Sequence, residues 1–164
     1  MIFEPGNVSQ YDRRTRDINK FLNALWYYNP SFFMRFINTL TSESIFKWNG
    51  LLCDGCTECR AKLSSKERVK TLCFSNIHFH LFIVADKKCI TDYKALYDYV
   101  NFIVNNLHNS YPRIMLFVPD KEYDATVKKI ENIRKELKSD YDIYIVKWSV
   151  YVETKNTYKA SIGF

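Results

Sequence analysis

"SNIHFHLFIVADKK", Ser75–Lys88, is the stretch on which the reading of this chain turns. Its centre is an apolar run bounded by polar residues, which reads as strand. With the residues before it, Lys70–Ala85 is predicted as one long strand or a hairpin. Two of the chain's three histidines, His78 and His80, stand two residues apart in this run. On a strand, residues i and i+2 share a face, so both imidazoles project together. Two neutral imidazoles at that spacing can share a metal ion.

Outward from this stretch the pattern alternates. "TDYKALYDYVNFIVNNL" (Thr91–Leu107) predicts a helix capped near Thr91, with Tyr93, Leu96, Tyr97, Val100, Val104 and Leu107 on one face. "RIMLFVPD" (Arg113–Asp120) is a continuous apolar run closed by Pro119, the signature of a buried central strand. "KEYDATVKKIENIRKEL" (Lys121–Leu137) predicts an amphipathic helix. "YDIYIVKWSVYVET" (Tyr141–Thr154) and "TYKASIGF" (Thr157–Phe164) read as strands of a closing hairpin. Upstream, Tyr11–Ala24 reads as helix, as does "NPSFFMRFINTL" (Asn29–Leu40), capped by Asn29 or Ser31. "SIFKWNG" (Ser44–Gly50) reads as a short strand. The expected architecture is a single α+β domain over residues 1–164. It has a sheet of about five strands with helices packed on it, a ferredoxin-like core being one form. Residues 51–73 form a Cys-rich insert.

The chain has 164 residues, 47% hydrophobic and 16% aromatic, which suits one folded domain rather than a disordered chain. Its net charge of +6 favours an anionic partner, nucleic acid above all. No stretch has the length and apolarity of a membrane span, and the N-terminus lacks the apolar core of a signal peptide. A cytoplasmic location without a membrane partner is expected. A single glutamine amid many Tyr, Lys and Ile suits a thermophile.

"CDGCTEC" places Cys53, Cys56 and Cys59 at metal-ligand spacing, with Cys73 fourteen residues on. Four thiolates suit structural Zn²⁺, which would fold an insert too polar to fold alone. An iron–sulfur cluster, disulfides or plain thiols stay open. Arg60, Lys62, Lys66, Arg68 and Lys70 make a basic ridge for phosphates, which Arg13, Arg14 and Arg16 extend.

"NIHFHLFIV" resembles the His-hydrophobe-His motif of the HUH endonucleases, the rolling-circle replication initiators and single-strand transposases. The element order from "KFLNALWYYNPSFFMRFINTL" onward is also similar, although Asn23 and Ala24 stand where that family often has threonines. The resemblance implies a ferredoxin-like sheet and Mg²⁺ or Mn²⁺ held by His78 and His80, with Asn49 a guess for a third ligand. It also implies a tyrosine nucleophile that nicks single-stranded DNA in replication or mobility of a small genetic element. By chain order the nucleophile is Tyr123, with Lys128 to activate it and Tyr93 or Tyr97 in reserve.

A second resemblance competes. Asp86 and Lys88 end the same strand, and Asp-x-Lys followed by helix, strand and helix resembles the PD-(D/E)xK nucleases. There an upstream acid, Asp54 or Glu43, would complete an Mg²⁺ site. His80 and Asp86 are six residues apart, about 20 Å on an unbroken strand, so they serve different ions. The third reading is a non-enzymatic, zinc-stabilised nucleic-acid-binding or virion-associated protein.

Overall fold

A computed structural model describes residues 6–41, 71–75, 79–106, 111–139 and 141–162. Of His80 and Cys73 it describes the backbone alone. The order is α1 (Gly6–Tyr28), α2 (Pro30–Thr41), β1 (Thr71–Ser75), β2 (Phe79–Val84), α3 (Lys87–Thr91), α4 (Tyr93–Asn106) and β3 (Tyr111–Val118). A 3₁₀ turn (Asp120–Glu122), α5 (Tyr123–Glu136), β4 (Asp142–Lys147) and α6 (Trp148–Ile162) complete it.

The sheet runs in the order β1-β2-β3-β4. β1 pairs antiparallel with β2 in a hairpin, Ser75 opposite His80. β2, β3 and β4 are mutually parallel. Parallel strands need a crossover helix between them, and consecutive crossovers of one hand put those helices on one face. Accordingly α3, α4 and α5 pack beside Phe82, Val84, Ile114, Leu116, Val118 and Ile143. α1, α2 and α6 cover the other face, over Leu81, Ile83, Ala85, Met115, Phe117 and Val146.

This corrects the expected fold. The sheet among the described residues has four strands rather than about five, and most described residues are helical. A ferredoxin-like core is antiparallel with its helices on one side. Here three strands are parallel and helices cover both sides. The closing hairpin is also replaced: β4 stops at Lys147 and the chain turns directly into α6. The reason is a helical stripe hidden in an alternating sequence. Trp148, Tyr151, Val152, Lys155 and Tyr158 follow a three-four spacing. Tyr151 is fully buried against Phe21, Phe36 and Phe117, while Trp148, Val152 and Tyr158 pack around it.

Local chemistry sets the helix ends. Asn29 separates α1 from α2, and its Oδ1 accepts the Phe32 N–H at 3.2 Å, with Pro30 at the first helical position. Asp120, beyond the end of β3, accepts the Ser149 N–H at 3.1 Å and so caps α6 from a distant loop. The side chain and backbone of Ser149 hold the Asp120 carboxyl below its ordinary range.

Most of the Cys-rich insert, and with it "SIFKWNG", lies outside the described residues; Thr71–Cys73 open β1. No helix among the described residues is long and apolar enough to cross a membrane.

Phe36 is fully buried and touches Phe21, Tyr151 and Tyr158, which joins α1, α2 and α6. Phe36→Ala is expected to lower unfolding free energy by about 3–5 kcal/mol, a large part of a typical total of about 5–15. Urea titration followed by circular dichroism measures it.

Candidate functional site at the carboxyl ends of the parallel strands

Among the described residues, the interior of the parallel sheet offers no polar side chain from Leu81 to Ala85 or from Ile114 to Pro119. Polar groups gather where the strands end, the usual place for ligands in open α/β sheets. β2 ends in Ala85-Asp86-Lys87-Lys88, β3 in Pro119-Asp120-Lys121-Glu122, and β4 in Lys147-Trp148-Ser149. The first half of α1 lies across these ends. The buried Thr15 hydroxyl donates to the Ala85 carbonyl at 3.1 Å and ties α1 to the end of β2. Asp17 ties α1 to α6. Its carboxylate pairs with Lys155 and, at 3.5 Å, with Arg14. The Tyr151 hydroxyl donates to the Asp17 carbonyl at 3.4 Å.

Between α1 and the strand ends runs a groove of about 430 Å³, lined by Gln10, Arg13, Arg14, Asp17 and Trp148. Past Gln10 and Trp148 lies a hollow of about 80 Å³, lined also by Tyr11, Lys87, Thr91, Pro119, Lys121 and Glu122. Trp148 is the shared wall. The Tyr11 ring meets it edge-on at 5.0 Å, and the Arg14 guanidinium lies 5.8 Å from its centroid. The Lys87 ammonium sits 5.9 Å from the Tyr11 ring.

Three donors in this wall are buried and make no hydrogen bond among the described residues: Tyr11 Oη, Arg14 Nε and Trp148 Nε1. A buried donor left unpaired costs about 1–3 kcal/mol, and native structures hold few. Here three adjoin one another, beside a groove and hollow that carry Arg13, Lys87 and Lys121. Acceptor oxygens brought against this wall, from water or from an anion, would pair with them. Tyr11 is only 6% exposed. Burial, followed by the charge of Glu122, raises its phenol to about 12, so it remains a donor throughout the neutral range.

Of the residues singled out in the sequence, Arg13 and Arg14 line the groove and the rest fall at the rim, elsewhere or outside the described residues. His78, Cys53, Asp54, Cys56, Cys59, Arg60, Lys62, Lys66, Arg68 and Lys70 lie outside the described residues, as do Glu43 and Asn49. Cys73 lies in β1 with its backbone opposite Phe82. His80, at the start of β2, stands opposite Pro112 of β3, whereas Tyr123 follows the other end of β3. Pro112 to Val118 spans six residues, about 20 Å. The structure therefore does not bring Tyr123 and the His80 backbone together. Tyr123 instead lies beside β4, its ring 4.9 Å from the Lys147 ammonium, in a mixed polar and apolar cleft of about 490 Å³ with Leu40, Thr41, Ile143, Tyr144 and Val150. Lys128 is exposed, and Lys129 Nζ donates to the Ile90 and Thr91 carbonyls that end α3. Tyr93 and Tyr97 stack on each other on α4.

Asp86 and Lys88 are at the strand-end rim. Asp86 holds the N-cap position of α3 without a side-chain cap bond, and Lys88 is exposed. Among the described residues no three His, Cys, Asp or Glu side chains are grouped to hold a metal ion.

Tyr11, Trp148, Lys87, Lys121 and Glu122 carry no motif and escaped the sequence reading. One signal was present: both β2 and β3 end in Asp-Lys, in "ADKK" and "PDKE". No family model, curated protein or solved structure matches the chain.

The Tyr11 phenol sits near 12 in the folded chain and near 10 unfolded. Its contribution is complete below pH 10 and is lost as pH rises through about 12. Tyr151, also pushed up by burial and by Asp17, acts in the same direction. Stability is expected to fall from pH 10 to 12. In Tyr11→Phe that slope flattens by up to about 1.4 kcal/mol per pH unit. Denaturant midpoints across this range test it; an unchanged slope refutes the assignment.

Proposed function

We propose that the chain binds nucleic acid, with the phosphate backbone held in the groove between α1 and Trp148 and in the adjoining hollow at the carboxyl ends of β2 and β3. The observation that carries this reading is the meeting of three unpartnered buried donors around Trp148, next to Arg13, Lys87 and Lys121. Phosphate oxygens accept from N–H and O–H donors and are drawn by the cations, and backbone contacts of this kind supply affinity without sequence readout. The net charge of +6 points the same way. Asp17 lines the groove, but Lys155 and Arg14 neutralise it.

Binding, rather than strand scission, is the activity these observations support. Tyr123 lies far from His80, and the described carboxylates form no metal-holding group.

Fluorescence anisotropy with a labelled oligonucleotide tests the reading. Affinity is expected to fall steeply between about 50 and 200 mM salt. Trp148→Phe keeps an aromatic ring and removes one donor; Tyr11→Phe does the same. Each is expected to weaken binding about tenfold, the equivalent of one lost charge-assisted hydrogen bond. Wild-type affinity in both variants overturns the groove assignment. Incubation of the same oligonucleotide with Mn²⁺ is expected to leave it intact on a denaturing gel. Cleavage that disappears in Asp86→Asn would replace the binding reading with a nuclease.

A further inference from the structure

The groove leaves one face of α1 unused. Arg13, Arg16, Lys20, Asn23 and Tyr27 are all exposed and follow one another at steps of three and four, so they form one stripe along the helix. Across the helix Ile18, Leu22 and Leu25 are buried in the core, which fixes the stripe toward solvent. It begins at the groove, which Arg13 lines. It ends at Tyr27 and Tyr28, 75% and 77% exposed, whose rings meet edge-on at 4.9 Å. Arg13 to Tyr27 spans about 21 Å of helix. Two half-buried carboxylates, Asp12 and Asp17, border the stripe, the second held by Lys155 and Arg14, against three exposed cations on it.

We propose that this stripe is the track of a single-stranded nucleic acid. Its phosphates lie along Arg13, Arg16 and Lys20, and its bases stack on Tyr27 and Tyr28; the proposal rests on the groove reading. Two adjacent aromatic rings in water are a sequence-tolerant platform, since every base has a π-face. The bases of a duplex already stack on one another, so only a single strand presents free faces along its length. A line of cations leading to exposed rings joins the two elements of sequence-independent single-strand binding, a charged path and a stacking surface. Asn23 interrupts the stripe between Lys20 and Tyr27, so it lacks the continuous apolar face by which an interfacial helix enters a membrane.

The experiment uses the full chain and two probes, a labelled oligonucleotide and the same strand annealed to its complement. The single strand is expected to bind at least tenfold more tightly. Tyr27→Ala with Tyr28→Ala is expected to weaken single-strand binding by about tenfold or more and leave duplex binding unchanged. Arg16→Gln with Lys20→Gln is expected to make the salt dependence shallower by about 1.4 on the logarithmic slope, two phosphates' worth. All four residues are exposed, so the variants are expected to keep the wild-type circular dichroism spectrum and melting temperature. Should the double tyrosine variant bind the single strand as wild type does while Trp148→Phe weakens it, the track is wrong and the groove stands. Should neither weaken it, both fall. Equal affinity for single strand and duplex also overturns the track, as does preference for an acidic peptide over either.

Discussion

Helices close over both faces of β2 and β3, and this double burial constrains everything else in the molecule. Strands sealed on two sides have no use for polar side chains along their length, so "LFIVA" and "IMLFV" run unbroken. Polar chemistry is displaced to the strand ends. The carboxyl end is where the chain changes layer: β2 passes into α3, β3 into the 3₁₀ turn, and β4 into α6. Three separate segments thus deliver charged or aromatic residues to one rim. α1 is held across that rim by Thr15 at the end of β2 and by Asp17 at α6.

The same arrangement explains how donors come to be buried without partners. Trp148 is the first residue of α6 and sits between Tyr11 and Arg14 of α1. Its position is set from two sides, by the cap that Asp120 provides to Ser149 and by the packing of Tyr151 among three phenylalanines. Neither restraint supplies an acceptor for the indole N–H. A rigid wall with unpaired donors is less stable alone than with a ligand. An anion that satisfies them stabilises the native state by mass action, so occupancy and stability are linked.

Much of the second half of the chain was legible where period and length agreed. Thr91–Leu107 and Lys121–Leu137 have helical spacing over more than three turns, and α4 and α5 lie there. The apolar run after Arg113 became β3, and Lys70–Ala85 holds the β1–β2 hairpin. α6 misled because Trp148, Val150 and Val152 alternate as in a strand while Trp148, Tyr151, Val152 and Lys155 recur as in a helix. Tertiary packing of Tyr151 decided between two periods that the sequence carries at once. The parallel pairing that replaced a ferredoxin-like sheet is a property of crossover connections, which local pattern does not encode. The groove was least legible of all. Its residues come from α1 and from Trp148 at the end of β4, those of the adjoining hollow also from the ends of β2 and β3, and they meet only after the sheet forms. Arg13, Arg14 and Arg16 were picked out by charge alone. The stripe Arg13 and Arg16 share with Lys20 and Tyr27 is visible only once the exposed side of α1 is known.

Glu122 lines the hollow proposed here for an anion, where a carboxylate alone would repel one. Its effect on Tyr11 gives it a consistent role. An acid beside a buried phenol opposes loss of the phenolic proton, as burial does, and together they hold Tyr11 neutral. A phenolate there would repel phosphate; a phenol donates to it. Lys87 and Lys121 in the same hollow carry positive charge against that of Glu122, so the acid does not stand as the sole charge facing a ligand. The arrangement keeps a neutral donor in a charged setting. That suits the proposed oxyanion, which needs donor protons that stay in place.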